Sequence, residues 1–143
     1  MSDRRSVTQA VITAQAALAA VGAAVRHAEK LGVKVNVAVT DPSGLLAGFA
    51  RMPGAPLHSI DIAIDKAYTA AGFGLPTSQW HDVLREHHSE PVRDGLLRRP
   101  RLVAFGGGLP IMDGDERIGG IGVSGGSEAQ DAEIAQAGLD ALP

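Results

Sequence analysis

The 143-residue chain contains no cysteine. That excludes a disulfide framework, a thiolate metal site and a cysteine nucleophile. Aromatic residues are scarce, at 3% of the chain, so small aliphatic side chains must fill the core. Positive charge is not in excess either. A formal net charge of −3 lacks the concentrated cationic surface that counterion release on nucleic acid requires, and gives no general attraction to anionic lipid. The one basic cluster is Arg98, Arg99 and Arg101 around Pro100, which is either a solvated loop or an anion-steering patch. A long uninterrupted apolar run is also missing. Asp3-Arg4-Arg5 followed by uncharged residues from Ser6 to Val25 has the outline of a secretory signal. However, this segment is rich in alanine, carries Gln9 and Gln15, and repeats Val7, Val11, Ala14, Leu18, Val21 and Val25 at four-three spacing. We therefore expect an amphipathic helix rather than a leader or a membrane span, and a cytoplasmic protein.

What is present suits one globular domain over residues 1–143, a size that buries roughly 68% of the unfolded surface. Ser6 and Gln9 make a capping box, so the first helix is expected from about Ser6 to Leu31, ending at Gly32. Alternating valines from Val33 to Val39 predict a strand with one buried face. Asp41-Pro42-Ser43-Gly44 carries the residues of a type I turn leading into a second strand, Leu45 to Met52. Leu57, Ile60, Ile64, Ala67 or Tyr68, and Ala71 trace the apolar face expected of a second helix. Thr77 or Ser78 caps a shorter helix through Trp80, Val83 and Leu84, and residues 89–100 read as a loop. Strands follow at Leu102 to Phe105, Ile111-Met112 and Arg117 to Ser124. Ser127 and Gln130 open a final helix through a second capping box. Strands paired by short turns, with helices between the blocks, predict an α+β fold with an antiparallel sheet.

The stretch "GGIGVSGG" at residues 119–126 matches two motifs at once. As G-x-G-x-x-G it requires a following parallel strand with an acidic residue about 20 positions on, and the chain has only 18 residues after Gly125. Glu128 and Asp131 in the next helical turn would also repel a pyrophosphate. As G-x-S-x-G it requires a histidine after the serine, yet His27, His58, His81, His87 and His88 all precede Ser124. Backbone physics remains. Alternation places Gly120, Gly122 and Ser124 on one nearly bare strand face. Either a helix or subunit packs closely there, or a flat ligand lies against it.

"VAVTDPSGLLAGFARMPGA", "KAYTAAGF", "LVAFGGGLPI", "IGGIGVSGG" and a C-terminal "AQAGLDAL", in this order, closely resemble the GlcG/HbpS-like family of haem-binding and haem-degrading proteins. The similarity runs from about Ala10 to Leu142. The resemblance implies a profilin-like three-layer α/β/α fold with a five-stranded antiparallel sheet, a homo-oligomer, and binding of haem or corrinoid-type small molecules in some members. It also implies occurrence beside catabolic enzymes such as glycolate oxidase. The family's shared residues with capable chemistry are Arg51, Lys66, Thr69 and Ser124, with the backbone of Gly106, Gly107, Gly108 and Pro110. Arg51 either holds a carboxylate through its planar fork or forms a surface ion pair. Lys66 and Thr69, three apart on the second helix and opposite its apolar stripe, either point into a cleft or belong to a solvated and a packed position respectively. His58 is either a helix-entry residue or an axial ligand or general base. His81 and His88 are expected in solvent, and no metal cluster is expected.

Two functions compete. The first is a haem- or tetrapyrrole-binding protein with its ligand against Gly120 and Gly122 and its acid groups near Arg51 or Lys66. The second is a cofactor-independent enzyme of a catabolic operon acting on a small oxygenated organic acid. In that case Arg51 orients the carboxylate, the Gly106 to Gly108 amides stabilise an oxyanion, and Lys66 or His58 moves a proton. Both rest on an open glycine surface bordered by cationic groups.

Overall fold

Local capping and tertiary pairing compete at the start of the chain, and pairing wins. In the computed structural model, which describes residues 3–143, the first helix α1 spans Ala14–Leu31 and does not begin near Ser6. Met1 and Ser2, the first residues of the expected domain, lie outside the described residues. The Ile12 N–H donates to the Ile118 carbonyl and the Ile12 side chain enters the core, and the segment before Thr13 is not helical. Thr13 then caps the helix, its Oγ1 accepting from Ala16 N at 3.1 Å. Gly32, at φ 73°, ends it as expected.

Strand β1 (Asn36–Thr40) and strand β2 (Leu46–Arg51) follow, joined by the Asp41 turn, in which Gly44 N donates to Asp41 O at 3.0 Å. Helix α2 (Ser59–Phe73), a short 3-10 turn (Thr77–Gln79) and helix α3 (Trp80–His87) come next. The segment read as a loop contains a further helix, α4 (Glu90–Leu97), with Ser89 at its N-cap and Pro91 in its first turn. Proline and glycine made this stretch look irregular, although proline is at home at a helix start. Strand β3 (Gly108–Asp113), strand β4 (Glu116–Ser124) and helix α5 (Glu128–Asp140) complete the chain. The capping box of α5 is formed, with Gln130 N donating to Ser127 Oγ and Ser127 N to Gln130 Oε1.

The sheet is antiparallel with strand order β2-β1-β4-β3. This corrects the expected profilin-like architecture: the described residues form four strands, not five. The missing strand is Leu102 to Phe105. Its Val103 N–H donates to the Thr69 side chain at 3.1 Å instead of joining a ladder. β3 is an edge strand, which explains how Pro110, with no N–H to give, sits within it.

Helices cover both faces of the sheet. Val37, Val39, Ile121 and Val123 pack with Ala17, Ala20, Ala24, Ala28, Ile134 and Ala135 of α1 and α5. On the opposite face Ala38 packs with Ala63 and Ala67 of α2. The expected apolar stripe holds only in part. α2 buries Ala67 and Ala71 of that stripe and packs Ile64 against this cluster. It also buries Ala63, Lys66, Thr69 and Ala70, while Leu57, just before the helix, is 74% exposed and Tyr68 37% exposed. A Cβ at Gly122 would collide with the Ala63 carbonyl, and one at Gly120 with that of Ala67. Only a strand face without side chains lets the helix backbone lie this close.

Candidate functional site

The glycine surface is therefore occupied by the chain's own α2, and no ligand fits between helix and sheet at Gly120 and Gly122. The two glycines act as a seat for the helix. That seat carries Lys66 into the interior. Its side chain is 1% exposed, and its Nζ donates to the Val123 carbonyl at 2.8 Å and to Asp131 Oδ2 of α5 at 3.2 Å. The ammonium also stands 5.0 Å from the Phe105 ring centroid. Burial pushes the Lys66 pKa down, opposed by Asp131; burial pushes the Asp131 pKa up, opposed by Lys66 and by the Gly126 N–H. Neither charge faces solvent, so Lys66 is not the cleft-lining or solvated residue its helical spacing suggested.

Around this pair, the middle of α2, the 3-10 turn and the start of α5 clamp the glycine loop. Gly107 has φ 124°, and a Cβ there would lie 2.6 Å from Lys66 Nζ, so side-chain-free backbone is required at that point. Gly106 N donates to Glu128 Oε1 at 2.6 Å, and Gly108 N to Thr77 Oγ1 at 2.8 Å. Val123 N donates to Gly107 O. The Gly106 and Gly108 amides are thus engaged by the protein itself, not free to form an oxyanion hole. One turn along α2, buried Thr69 donates from Oγ1 to Arg101 O at 2.9 Å and accepts from Val103 N. Lys66, Thr69, Thr77, Glu128 and Asp131 together fix residues 101–108 from beneath.

Other candidates lie elsewhere. Arg51 ends β2 at an exposed position and donates from Nη2 to Ala55 O at 2.8 Å. It shares a level of the sheet with Asn36 and Ser124, which face each other across β1 and β4. His58 is exposed at the entry of α2 and makes no capping bond. His81 and His88 are exposed. Among the described residues no cluster of three or more His, Asp or Glu is arranged to hold a metal ion, and no helix is long and apolar enough to cross a membrane.

Sequence reasoning missed Asp131 and Glu128, whose place in the first turn of α5 served only to exclude a pyrophosphate there. It also missed Thr77 as more than a cap. A carboxylate 65 residues from its lysine leaves no local signal. Asn36, opposite the valines of β1, was equally silent; its Nδ2 donates to Pro56 O, and its Oδ1 is buried without a hydrogen-bond partner among the described residues.

On the outer side of the braced loop, Tyr68 and Phe73 of α2, Leu96 of α4, and Arg99, Pro100 and Leu102 enclose an open recess of about 260 Å³. Here Arg99 and Pro100 of the basic cluster meet the exposed aromatic rings of Tyr68 and Phe73.

The family described as "Haem degrading protein HbpS-like" matches residues 12–140. The corrinoid adenosyltransferase PduO of Salmonella typhimurium is 37% identical over 120 residues, covering 84% of this chain but 35% of that enzyme. The chain thus spans about a third of the length of that relative. A crystal structure of Klebsiella pneumoniae protein ORFY matches with a TM-score of 0.90 at 31% identity, over 99% of this chain and 97% of that one. A crystal structure of a PduOC:heme complex matches with a TM-score of 0.83 at 33% identity, over 92% of this chain and 95% of that one. From the buried α2 lysine to the glycine loop and the C-terminal helix, the matched region spans every element described above, and the chain belongs to the HbpS-like family.

Proposed function

We propose that this chain binds haem or a related tetrapyrrole and does so as a homo-oligomer. The observation that carries the reading is the match of nearly the whole fold to a structure solved with haem. The residues present suit such a group. Exposed Tyr68 and His58 offer phenol and imidazole donors of the kinds that bind haem iron. Exposed arginines offer partners for propionates, and exposed Leu45, Leu46, Leu57 and Phe73 offer apolar surface for a macrocycle or a second subunit. A bound iron tetrapyrrole would supply redox and oxygen chemistry. The chain's own residues bind and orient it: Arg51 is a candidate carboxylate holder at the sheet end, near Ser124. Lys66, Thr69, Gly106, Gly107, Gly108 and Pro110 act as positioning residues that keep the loop beside it rigid.

Titrating hemin into purified protein tests this. A saturable Soret shift at micromolar hemin is expected, and its absence overturns the reading. Light scattering showing a monomer at low micromolar concentration would remove the oligomeric part. Thermal stabilisation by small hydroxy or keto acids without hemin would instead favour the catabolic enzyme. Loss of the Soret band on incubation with ascorbate and oxygen would extend binding to degradation.

A further inference from the structure

We infer that the recess between α2 and α4 is where one carboxylate-bearing edge of the tetrapyrrole seats, with Arg99 as its anion partner; this rests on the binding reading above. Three features of the recess support a built site rather than an incidental dent.

Its walls are fixed before any ligand arrives. Phe73 meets Trp80 edge-on at 4.7 Å between centroids, and Trp80 is buried. Tyr68 is covered on one face by the Arg101 guanidinium, 3.7 Å above its ring. Arg101 is itself tied to Asp65 at 2.9 Å. Thr69 pins the floor through Arg101 O and Val103 N. Rigid aromatic walls cost little further ordering on binding.

Its charge is complementary to a planar acid. The chain is net negative, yet Arg99 stands at this rim. Unlike that of Arg101, its side chain makes no hydrogen bond or ion pair among the described residues. An apolar cleft with one unclaimed guanidinium suits a flat ring with a carboxylate arm.

Its size limits what enters. A recess of about 260 Å³ falls below the roughly 300–1,000 Å³ usual for a fully enclosed ligand. It accommodates a pyrrole edge and its propionate, leaving the rest of the macrocycle outside. α4, which buries none of its residues fully, forms the outer wall.

The test compares wild type, Arg99→Glu, Leu96→Asp and Arg26→Glu in hemin and metal-free protoporphyrin titrations, with circular dichroism confirming that each variant is folded. Arg26→Glu makes the same charge change on α1. Wild type is expected to bind both porphyrins and to show quenching of Trp80, the single tryptophan. Arg99→Glu is expected to weaken hemin binding about tenfold or more, as befits loss of a charge-assisted pair, and to abolish any preference for hemin over its dimethyl ester. Leu96→Asp is expected to weaken both porphyrins, and Arg26→Glu to bind as wild type. If wild type binds no hemin, the binding reading and this placement fall together. If wild type binds and both recess variants titrate identically to it, the placement alone falls. The placement also falls if Leu96→Asp changes only the particle size in light scattering, which would make the recess a subunit contact.

Discussion

On the side facing α1 and α5, the central strands present Val37, Val39, Ile121 and Val123; on the side facing α2, the same strands present Asn36, Ala38, Thr40, Gly120, Gly122 and Ser124. The first side is a conventional apolar core, where stability scales with buried area. The second is nearly free of large apolar side chains. It is held by close approach of helix backbone to sheet backbone and by a buried lysine, carboxylate and threonine network. The polar groups of the second side, fixed at close range, brace the glycine loop, whereas aliphatic packing on the first side only fills space.

The contrast can be broken most severely at Gly122. Gly122→Val drives a side chain into the Ala63 carbonyl and is expected to cost about 4 kcal/mol or more, or to abolish folding; urea denaturation or soluble yield reads this. Next comes Asp131→Asn, which leaves the Lys66 charge buried without its counter-ion and is expected to cost roughly 3–5 kcal/mol. The sign of its pH dependence follows from Lys66. Burial already lowers that pKa below its ordinary value of 10.5, and without the carboxylate it falls further. The unfolded chain then binds more protons than the folded one between the lowered value and 10.5, so the variant gains stability as pH rises through that window. Denaturation midpoints measured across neutral to alkaline pH check it, and a flat profile would contradict a buried charge. Smallest is Ile121→Val, on the other face of the same strand as Gly122. Removing one methylene from the apolar core is expected to cost about 1 kcal/mol. Should Ile121→Val prove the more damaging of the two strand variants, the division between faces is wrong.

Legibility followed range. The strand at the alternating valines, the Asp41 turn, the glycine stop of α1 and the capping box of α5 are set by neighbours within a few residues, and the structure has all four, although β1 is buried on both faces and not on one as the alternation predicted. The capping signal at Ser6 and Gln9 was equally local yet lost to pairing of Ile12 with Ile118. Leu102 to Phe105 had the composition of a strand and lost its ladder to Thr69. The stripe on α2 was right at Ala67, Ala71 and Ile64 and wrong at Leu57, and it left Lys66 and Thr69 off the buried face, because periodicity ranks residues by apolarity and cannot register that the facing strand has no side chains. Lys66 and Thr69 were identified through the family resemblance; Thr69 is packed, as one of its two readings had it, whereas neither reading of Lys66 anticipated its burial.

The sequence by itself determined the α+β class, the antiparallel hairpins and the principal turns and caps, because each arises from backbone preferences acting over one or two turns of chain. Tertiary structure alone decided the number of strands, the orientation of α2, the pairing of Lys66 with Asp131 and the recess beside Arg99. Those depend on which distant surfaces can approach closely enough to exclude water, and that choice is made only when the whole chain packs.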